Sequence, residues 1–320
     1  MIKKLSFSDI EKLYSLVAKD YLVYSPTEHQ GSVALELKEK FNRFTLHKYQ
    51  TVLPAKKVLL ENVYDIETVG AKQQIALFGL HLCDVKAISI LSKTFKKDPH
   101  FQAKAKELFI IATDCKPTES CFCHVFGANA HVGFDLFIQE ESDGNFLVFA
   151  KTEKGVEYLR RIKAPLKMNS TYRPIGHSDK TIDLTELKQA ISDRELFEEY
   201  WQGIANNCFG CGACTAVCPL CFCFDVIDRT DPKNGKCHRT RKADSCFFAN
   251  FSKISNFDFR PENVDRLYNW YHHKFVRGPK ETGDFLCTGC GRCITACPAN
   301  LNIIKILSAL DTVFDRATGR

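Results

Sequence analysis

No apolar run in this chain approaches the roughly 18 residues that a membrane span requires. The stretch 75–85 is among the longest, and it contains His81. The start, Met1-Ile2-Lys3-Lys4, is basic like an export signal. Asp9, Glu11 and Lys12 interrupt any apolar segment behind it, so the sequence reads as an unexported, cytoplasmic chain with no membrane segment. No G-x-G-x-x-G follows a strand-like run, and no G-x-x-x-x-G-K-[ST] occurs, which leaves no recognisable nucleotide or flavin site. No nucleophile–base pair or acid–base constellation stands out either. Disorder, collagen and low complexity are excluded by an ordinary globular balance of 45% hydrophobic and 26% charged residues. The 320 residues suffice for about two domains.

What is abundant is cysteine, at 16 residues. A secreted disulfide scaffold is normally short and carries an export signal. In a reducing compartment this many thiols points to metal. The net charge of +6 invites a nucleic-acid reading. However, a [4Fe-4S] cluster with four thiolates carries about −2. Two or three clusters would cancel most of that excess, so nucleic acid is the weakest reading.

The pattern of apolar residues divides the chain near a polar stretch, 167–180. It predicts an α/β domain over 1–175 and a mainly α-helical, ferredoxin-like two-cluster domain over 176–320. Ser8 reads as an N-cap with Glu11 reaching back, followed by Ile10, Leu13, Tyr14 and Val17 at helical spacing. Tyr21–Tyr24 and Val33–Leu37 read as short strands, the second alternating Val33, Leu35 and Leu37. Gln74–Leu80 and Leu108–Ala112 read as buried strands. A helix follows the first of these through about Phe95, with Asp84 as its N-cap. Phe134–Ile138 and Phe146–Ala150 read as two more strands. Beyond the linker the strand signal fades, and 184–206 reads as one helical stretch.

The one internal repeat is a cysteine motif. Cys208-x2-Cys211-x2-Cys214-x3-Cys218-Pro219 recurs as Cys287-x2-Cys290-x2-Cys293-x3-Cys297-Pro298. This is the ligand run of bacterial [4Fe-4S] ferredoxins. Three thiolates at two-residue gaps wrap one cubane from a single loop, and the fourth points away toward the other cubane. The spacing therefore assigns Cys208, Cys211, Cys214 and Cys297 to one cluster. It assigns Cys287, Cys290, Cys293 and Cys218 to the other. Gly210, Gly212, Gly289 and Gly291 let the backbone approach the sulfides and donate N–H groups to them. A zinc-dependent binding module is the alternative, but zinc usually uses two distant CxxC pairs. The long insert between the copies disfavours the compact bacterial ferredoxin β-fold and suits a helical two-cluster domain.

Other thiols remain. Cys83 and Cys115 each sit just past a predicted strand, at the edge where α/β proteins place their sites. Cys121 and Cys123 follow in one short loop. These four either bind a third [4Fe-4S] cluster or are buried thiols. Cys221, Cys223 and Cys246 are open between three roles: thiols beside a cluster, part of a further metal site, or replacement ligands. Cys237 reads as an ordinary thiol. His124, His131 and His238 lie near cysteines and read as hydrogen-bonding or surface histidines, with alternative ligands as the second reading. The basic stretches Lys236–Lys242 and His272–Lys274, with Arg277 and Lys280, read as solvated faces. A second reading is charge compensation for clusters together with docking of an acidic partner. Tyr268, Trp270, Tyr271 and Phe275 read as core or interface aromatics.

Several segments resemble the beta, iron–sulfur subunits of soluble NiFe hydrogenases (sulfhydrogenases). They are 78–84 (FGLHLCD), Cys115-x5-Cys121-Phe122-Cys123 with 133–137 (GFDLF), 218–223 (CPLCFC), 244–246 (DSC), 259–261 (FRP) and 287–300. The A subunit of anaerobic sulfite reductase belongs to the same broader group and is the alternative assignment. The resemblance spans nearly the whole chain. It implies a non-catalytic, iron–sulfur electron-transfer subunit of a cytoplasmic oxidoreductase complex. Its partners would be a flavin subunit using NAD(P)H and a catalytic hydrogenase or reductase subunit. It also favours Cys83, Cys115, Cys121 and Cys123 as ligands of a third cluster. Two departures stand out: Ala243 replaces a family Trp, and Ser255-Asn256-Phe257-Asp258 replaces a Gly-Gly-His-Asn stretch.

Overall fold

The computed structural model describes residues 1–46, 48–60, 63–65, 74–131, 133–167, 170–173 and 182–318. Much of the polar stretch 167–180 therefore lies outside the described residues. Its strands, in chain order, are β1 (Ile2–Leu5), β2 (Leu22–His29), β3 (Ser32–Leu37), β4 (Val63–Asp65), β5 (Ile75–Leu80) and β6 (Phe109–Thr113). They continue with β7 (Leu136–Glu140), β8 (Phe146–Ala150), β9 (Phe224–Thr230), β10 (Cys237–Ala243), β11 (Lys253–Ile254) and β12 (Phe257–Asp258). Two compact units result. One comprises 1–59, 69–118 and 127–177, and the other comprises 60–68, 119–126 and 178–320. Among the described residues, no helix is long and apolar enough to cross a membrane.

The first unit is α/β. Its seven-stranded sheet has the order β1-β8-β7-β6-β5-β2-β3. The central strands β2, β5, β6 and β7 are parallel, β3 and β8 run antiparallel to them, and β1 pairs antiparallel with β8 at the edge. β5 and β6 are buried along their whole length, which is why they read as continuous apolar runs. Helix Phe7–Asp20 buries Ile10, Leu13, Tyr14 and Val17, the four residues that carry its periodicity. Its N-cap is Ser6 and not Ser8. Asp9 N–H donates to the Ser6 hydroxyl (3.3 Å), and Ser6 N–H donates to the Asp9 carboxylate (3.2 Å). The sequence offers two serines two residues apart, and the one three residues before Asp9 closes the reciprocal box. Likewise the helix Leu82–Thr94 begins after His81, which caps it without a side-chain bond, and Asp84 sits in its first turn.

β2 runs past Pro26 to His29, beyond the short strand Tyr21–Tyr24 that the sequence suggests. Its parallel pairing with β5 covers only Leu22–Tyr24, whereas its pairing with β3 continues to His29. A proline is tolerated there because one side of the strand is already free of ladder bonds. In β3, Val33 is buried but Leu37 is 51% exposed, so the alternation marks no deep face. β5 carries a register shift at Gly79. Gly79 has φ +83°, and a Cβ there would sit 1.9 Å from the Thr45 carbonyl oxygen. Only glycine fits that close approach.

The second unit is ferredoxin-like and mixes helices with strands. Helices Leu184–Ser192, Glu198–Ala205, Asn263–His272 and Ile303–Thr318 supply a core that includes Leu187, Trp201, Leu267, Leu307 and Leu310. The stretch 184–206 is two helices, not one. The Asp193 carboxylate accepts from Leu196 N–H (3.1 Å) in the break, the local side-chain bond by which aspartate competes with helix. A three-stranded sheet, β4-β10-β9, and the hairpin β11-β12 accompany these helices. β9 and β10 are exposed along most of their length, so no buried apolar face betrayed them. The basic stretch Lys236–Lys242 forms most of β10. Ala243 ends that strand, and Ser255-Asn256 turns the β11-β12 hairpin.

Candidate functional site

The two cysteine motifs fold alike. Each is a loop with two glycines at positive φ, Gly210 and Gly212 in one and Gly289 and Gly291 in the other. Each leads into a short helix, Ala213–Val217 or Arg292–Thr295. Cys208, Cys211 and Cys214 line one cavity with Cys297 from the other motif. Cys293 and the rings of Phe247, Trp270 and Tyr271 also border it. The reciprocal set gathers as well. Burial first, and then the thiols of Cys290, Cys287 and Cys218, push the Cys293 thiol well up. Cys287 is pushed up to about 12 chiefly by burial, with Cys218 and Cys290 adding to the effect. Cys214 is pushed up to about 12 by burial and by Cys218, Cys208 and Cys211. Such thiols resist ionisation as free groups, and a coordinated metal deprotonates them outright.

Backbone donors aim at these sulfurs. Gly210 N–H donates to Cys208 Sγ (3.5 Å) and Leu220 N–H to Cys218 Sγ (3.4 Å). Gly289 N–H donates to Cys287 Sγ (3.4 Å) and Leu301 N–H to Cys297 Sγ (3.3 Å). N–H···S bonds of this kind stabilise negative charge on sulfur and help set a cluster's potential. Among the described residues, no three Cys, His, Asp or Glu side chains are arranged to hold a single metal ion. A structural zinc site needs four ligands within about 2.3 Å of one ion. A cubane instead takes one thiolate per iron from thiols spread around a cavity, and the donor set fits that group.

Charge compensation is one reading of the stretch that carries Lys274, but nothing in the sequence shows that this residue is buried. It lies in a basic stretch that reads as solvated, yet it is 3% exposed. A π-helical turn, His273–Arg277, places it there in line with helix Asn263–His272, and its neighbours Phe275 and Val276 are buried too. Its ammonium donates to Cys218 Sγ (3.2 Å) and to the Leu286 carbonyl (2.9 Å), and it lies 5.0 Å from the centroid of the Trp270 ring. Burial alone would lower its pKa. The facing sulfurs of Cys218, Cys221 and Cys287 outweigh that and hold it well above the ordinary lysine value. Adjacent His273 goes the other way, down to about 3, through burial and then through Arg277 and Lys274.

The remaining thiols divide between the units. Cys83 and Cys115 belong to the first. They follow β5 and β6, which are parallel neighbours, so they share one strand-end edge. Cys83 is buried and accepts from Gln50 Nε2 at 3.9 Å. Cys121 and Cys123 fold with the second unit, although chain order groups them with the first. Phe122 N–H donates to the Gly289 carbonyl (2.8 Å), and Cys121 Sγ donates to the Cys290 carbonyl (3.7 Å). Burial, and then the Cys121 thiol, push Cys123 up to about 11. Cys221, Cys223 and Cys246 are brought together: a hydrogen bond with Cys223, burial, and the Cys223 and Cys221 thiols all raise Cys246 strongly. Cys237 is exposed on β10. His131 Nε2 pairs with Ser89 Oγ at 2.9 Å.

Residues 207–301 match the family described as 4Fe-4S dicluster domain. The chain is 31% identical over 314 residues to sulfhydrogenase 2 subunit beta of Pyrococcus furiosus, covering 89% of this chain and 91% of that one. No solved structure matches.

Proposed function

The chain belongs to the family of sulfhydrogenase beta subunits, an iron–sulfur electron-transfer subunit of a hydrogenase, and from that premise we propose how it relays electrons and between which partners. One [4Fe-4S] cluster is held by Cys208, Cys211, Cys214 and Cys297, and a second by Cys287, Cys290, Cys293 and Cys218. The observation that carries this reading is the cavity shared by three thiols of one motif and the fourth of the other. The clusters, when bound, take up and release single electrons. The protein holds them, excludes water and stabilises sulfur charge through backbone N–H groups. Cys211 is exposed, which brings the first cluster near the surface for exchange with a partner. Those partners are a flavin subunit that uses NAD(P)H and a NiFe catalytic subunit, in a cytoplasmic complex. The match to a sulfhydrogenase subunit favours the hydrogenase over the sulfite reductase assignment.

The test is iron and acid-labile sulfide per chain on anaerobically purified protein, with EPR after reduction. About 8 iron atoms fit the twin motifs, and about 12 would make further thiols ligands. Cys211→Ser and Cys290→Ser should each lose about four iron atoms. Each should also abolish electron delivery in the reconstituted complex. Zinc without iron, or unchanged delivery in both variants, would refute the reading.

A further inference from the structure

We propose that Lys274 sets the reduction potential of the cluster assigned to Cys218, Cys287, Cys290 and Cys293, acting as a fixed buried positive charge against it. The inference rests on the cluster assignment above and concerns a residue outside the ligand set.

Lys274 is withdrawn from solvent at 3% exposure. Among the described residues it makes no salt bridge to a carboxylate; its ammonium meets Cys218 Sγ at 3.2 Å, the Leu286 carbonyl at 2.9 Å and the face of Trp270. A buried ammonium with only neutral partners is strongly destabilising, and such charges are retained where an anion compensates them. The sulfurs facing it come from both motifs, Cys218 from the first and Cys287 from the second. That junction is where the crossed ligand set is expected. The backbone fixes the placement: Leu286 N–H donates to the Lys274 carbonyl (3.0 Å) while the Leu286 carbonyl accepts from its ammonium. The side chain is thus tied to the segment that begins the second motif. The π-turn that carries it belongs to a class of helix irregularity often found at functional sites.

The electron balance is simple. A four-thiolate cluster of charge about −2 accepts one electron to become about −3, and no proton moves. A cation within hydrogen-bond reach of a ligand sulfur stabilises the more negative form, because the low local dielectric strengthens the attraction. It therefore raises the potential. Trp270 and Phe275 border the same region and keep water from screening the charge.

The experiment is an anaerobic EPR redox titration, with dithionite as reductant, of the wild-type chain, Lys274→Met and Lys274→Arg. Iron content is measured on each. In Lys274→Met, one cluster should be harder to reduce by at least about tenfold in its equilibrium constant, about 59 mV for one electron. The other cluster should change less. Lys274→Arg keeps the charge and should stay close to wild type. Loss of one cluster in Lys274→Met with retention in Lys274→Arg would also support the proposal, since the charge is then needed to hold the anion. An unshifted, fully loaded Lys274→Met overturns it. So does an equal shift, or equal iron loss, in both variants, because the residue would then act through packing. A wild-type chain without iron would instead refute the cluster assignment itself.

Discussion

At the scale of single residues, the repeated cysteine run was readable because cubane chemistry imposes such a spacing on a chain, and the structure gathers Cys208, Cys211, Cys214 and Cys297 around one cavity. Lys274 was not. Its sequence neighbours His272, His273 and Arg277 suggest a wet surface, and only the packing of a π-turn against the second motif buries it. The same holds for Leu220 and Leu301, whose N–H groups bond sulfur while their side chains give no hint of it. Gly289 shows how tightly the second loop is fitted. It has φ +64°, and a Cβ there would lie 2.4 Å from the Phe122 carbonyl oxygen and 2.7 Å from Cys123 N. Gly283 has φ +79° with nothing within 4 Å. Gly283→Ala should therefore cost only left-handed strain, about 1–2 kcal/mol. Gly289→Ala should add overpacking of about 1–3 kcal/mol, because its neighbours are backbone and cannot swing aside. Urea melts of the two variants check this. Equal destabilisation would mean that the loop yields.

At the scale of elements, the parallel centre of the first sheet was legible because strands buried on both faces read as unbroken apolar runs. The β9-β10 hairpin was not, since a strand pair without a buried face carries no alternation to detect. Helix ends were displaced by small competitions, as with Ser6 against Ser8. That cap yields a prediction. Ser6→Ala should cost about 1 kcal/mol, typical of a lost N-cap. The Asp9 carboxyl is held below its ordinary 3.8, chiefly by the Ser6 hydroxyl and further by Lys12, against some opposing burial. Because its folded value is depressed, its contribution is present above the unfolded value and is lost as pH falls through the folded one. The difference between wild type and Ser6→Ala should therefore be full at pH 7 and shrink below about pH 4. Urea unfolding at both pH values measures it. A difference that grows on acidification would contradict the cap.

At the scale of the whole molecule, composition and periodicity announced two kinds of structure, but chain order could not show that the second unit is discontinuous. Residues 60–68 and 119–126 fold with 178–320. Phe122 and Phe126, 1% and 5% exposed, belong to its core and lie far upstream of the motifs. A fragment limited to 178–320 lacks both rings. Each large-to-small loss of a buried aromatic costs about 3–5 kcal/mol, against a typical total of about 5–15 kcal/mol. The fragment should therefore fail to give a cooperative thermal transition, whereas the full chain should show one. A fragment that melts at the full-chain temperature would refute this. The sharing of one cavity by Cys208, Cys211, Cys214 and Cys297 also bears on biogenesis. Under the proposed assignment each set draws thiols from both motifs, Cys297 completing the first and Cys287, Cys290 and Cys293 the second, so neither cubane could be completed on a nascent chain still missing its C-terminal segment. On that assignment insertion of iron and sulfide would be a late step, and a ribosome-stalled chain ending before Cys287 would present an incomplete, oxygen-vulnerable set of thiols.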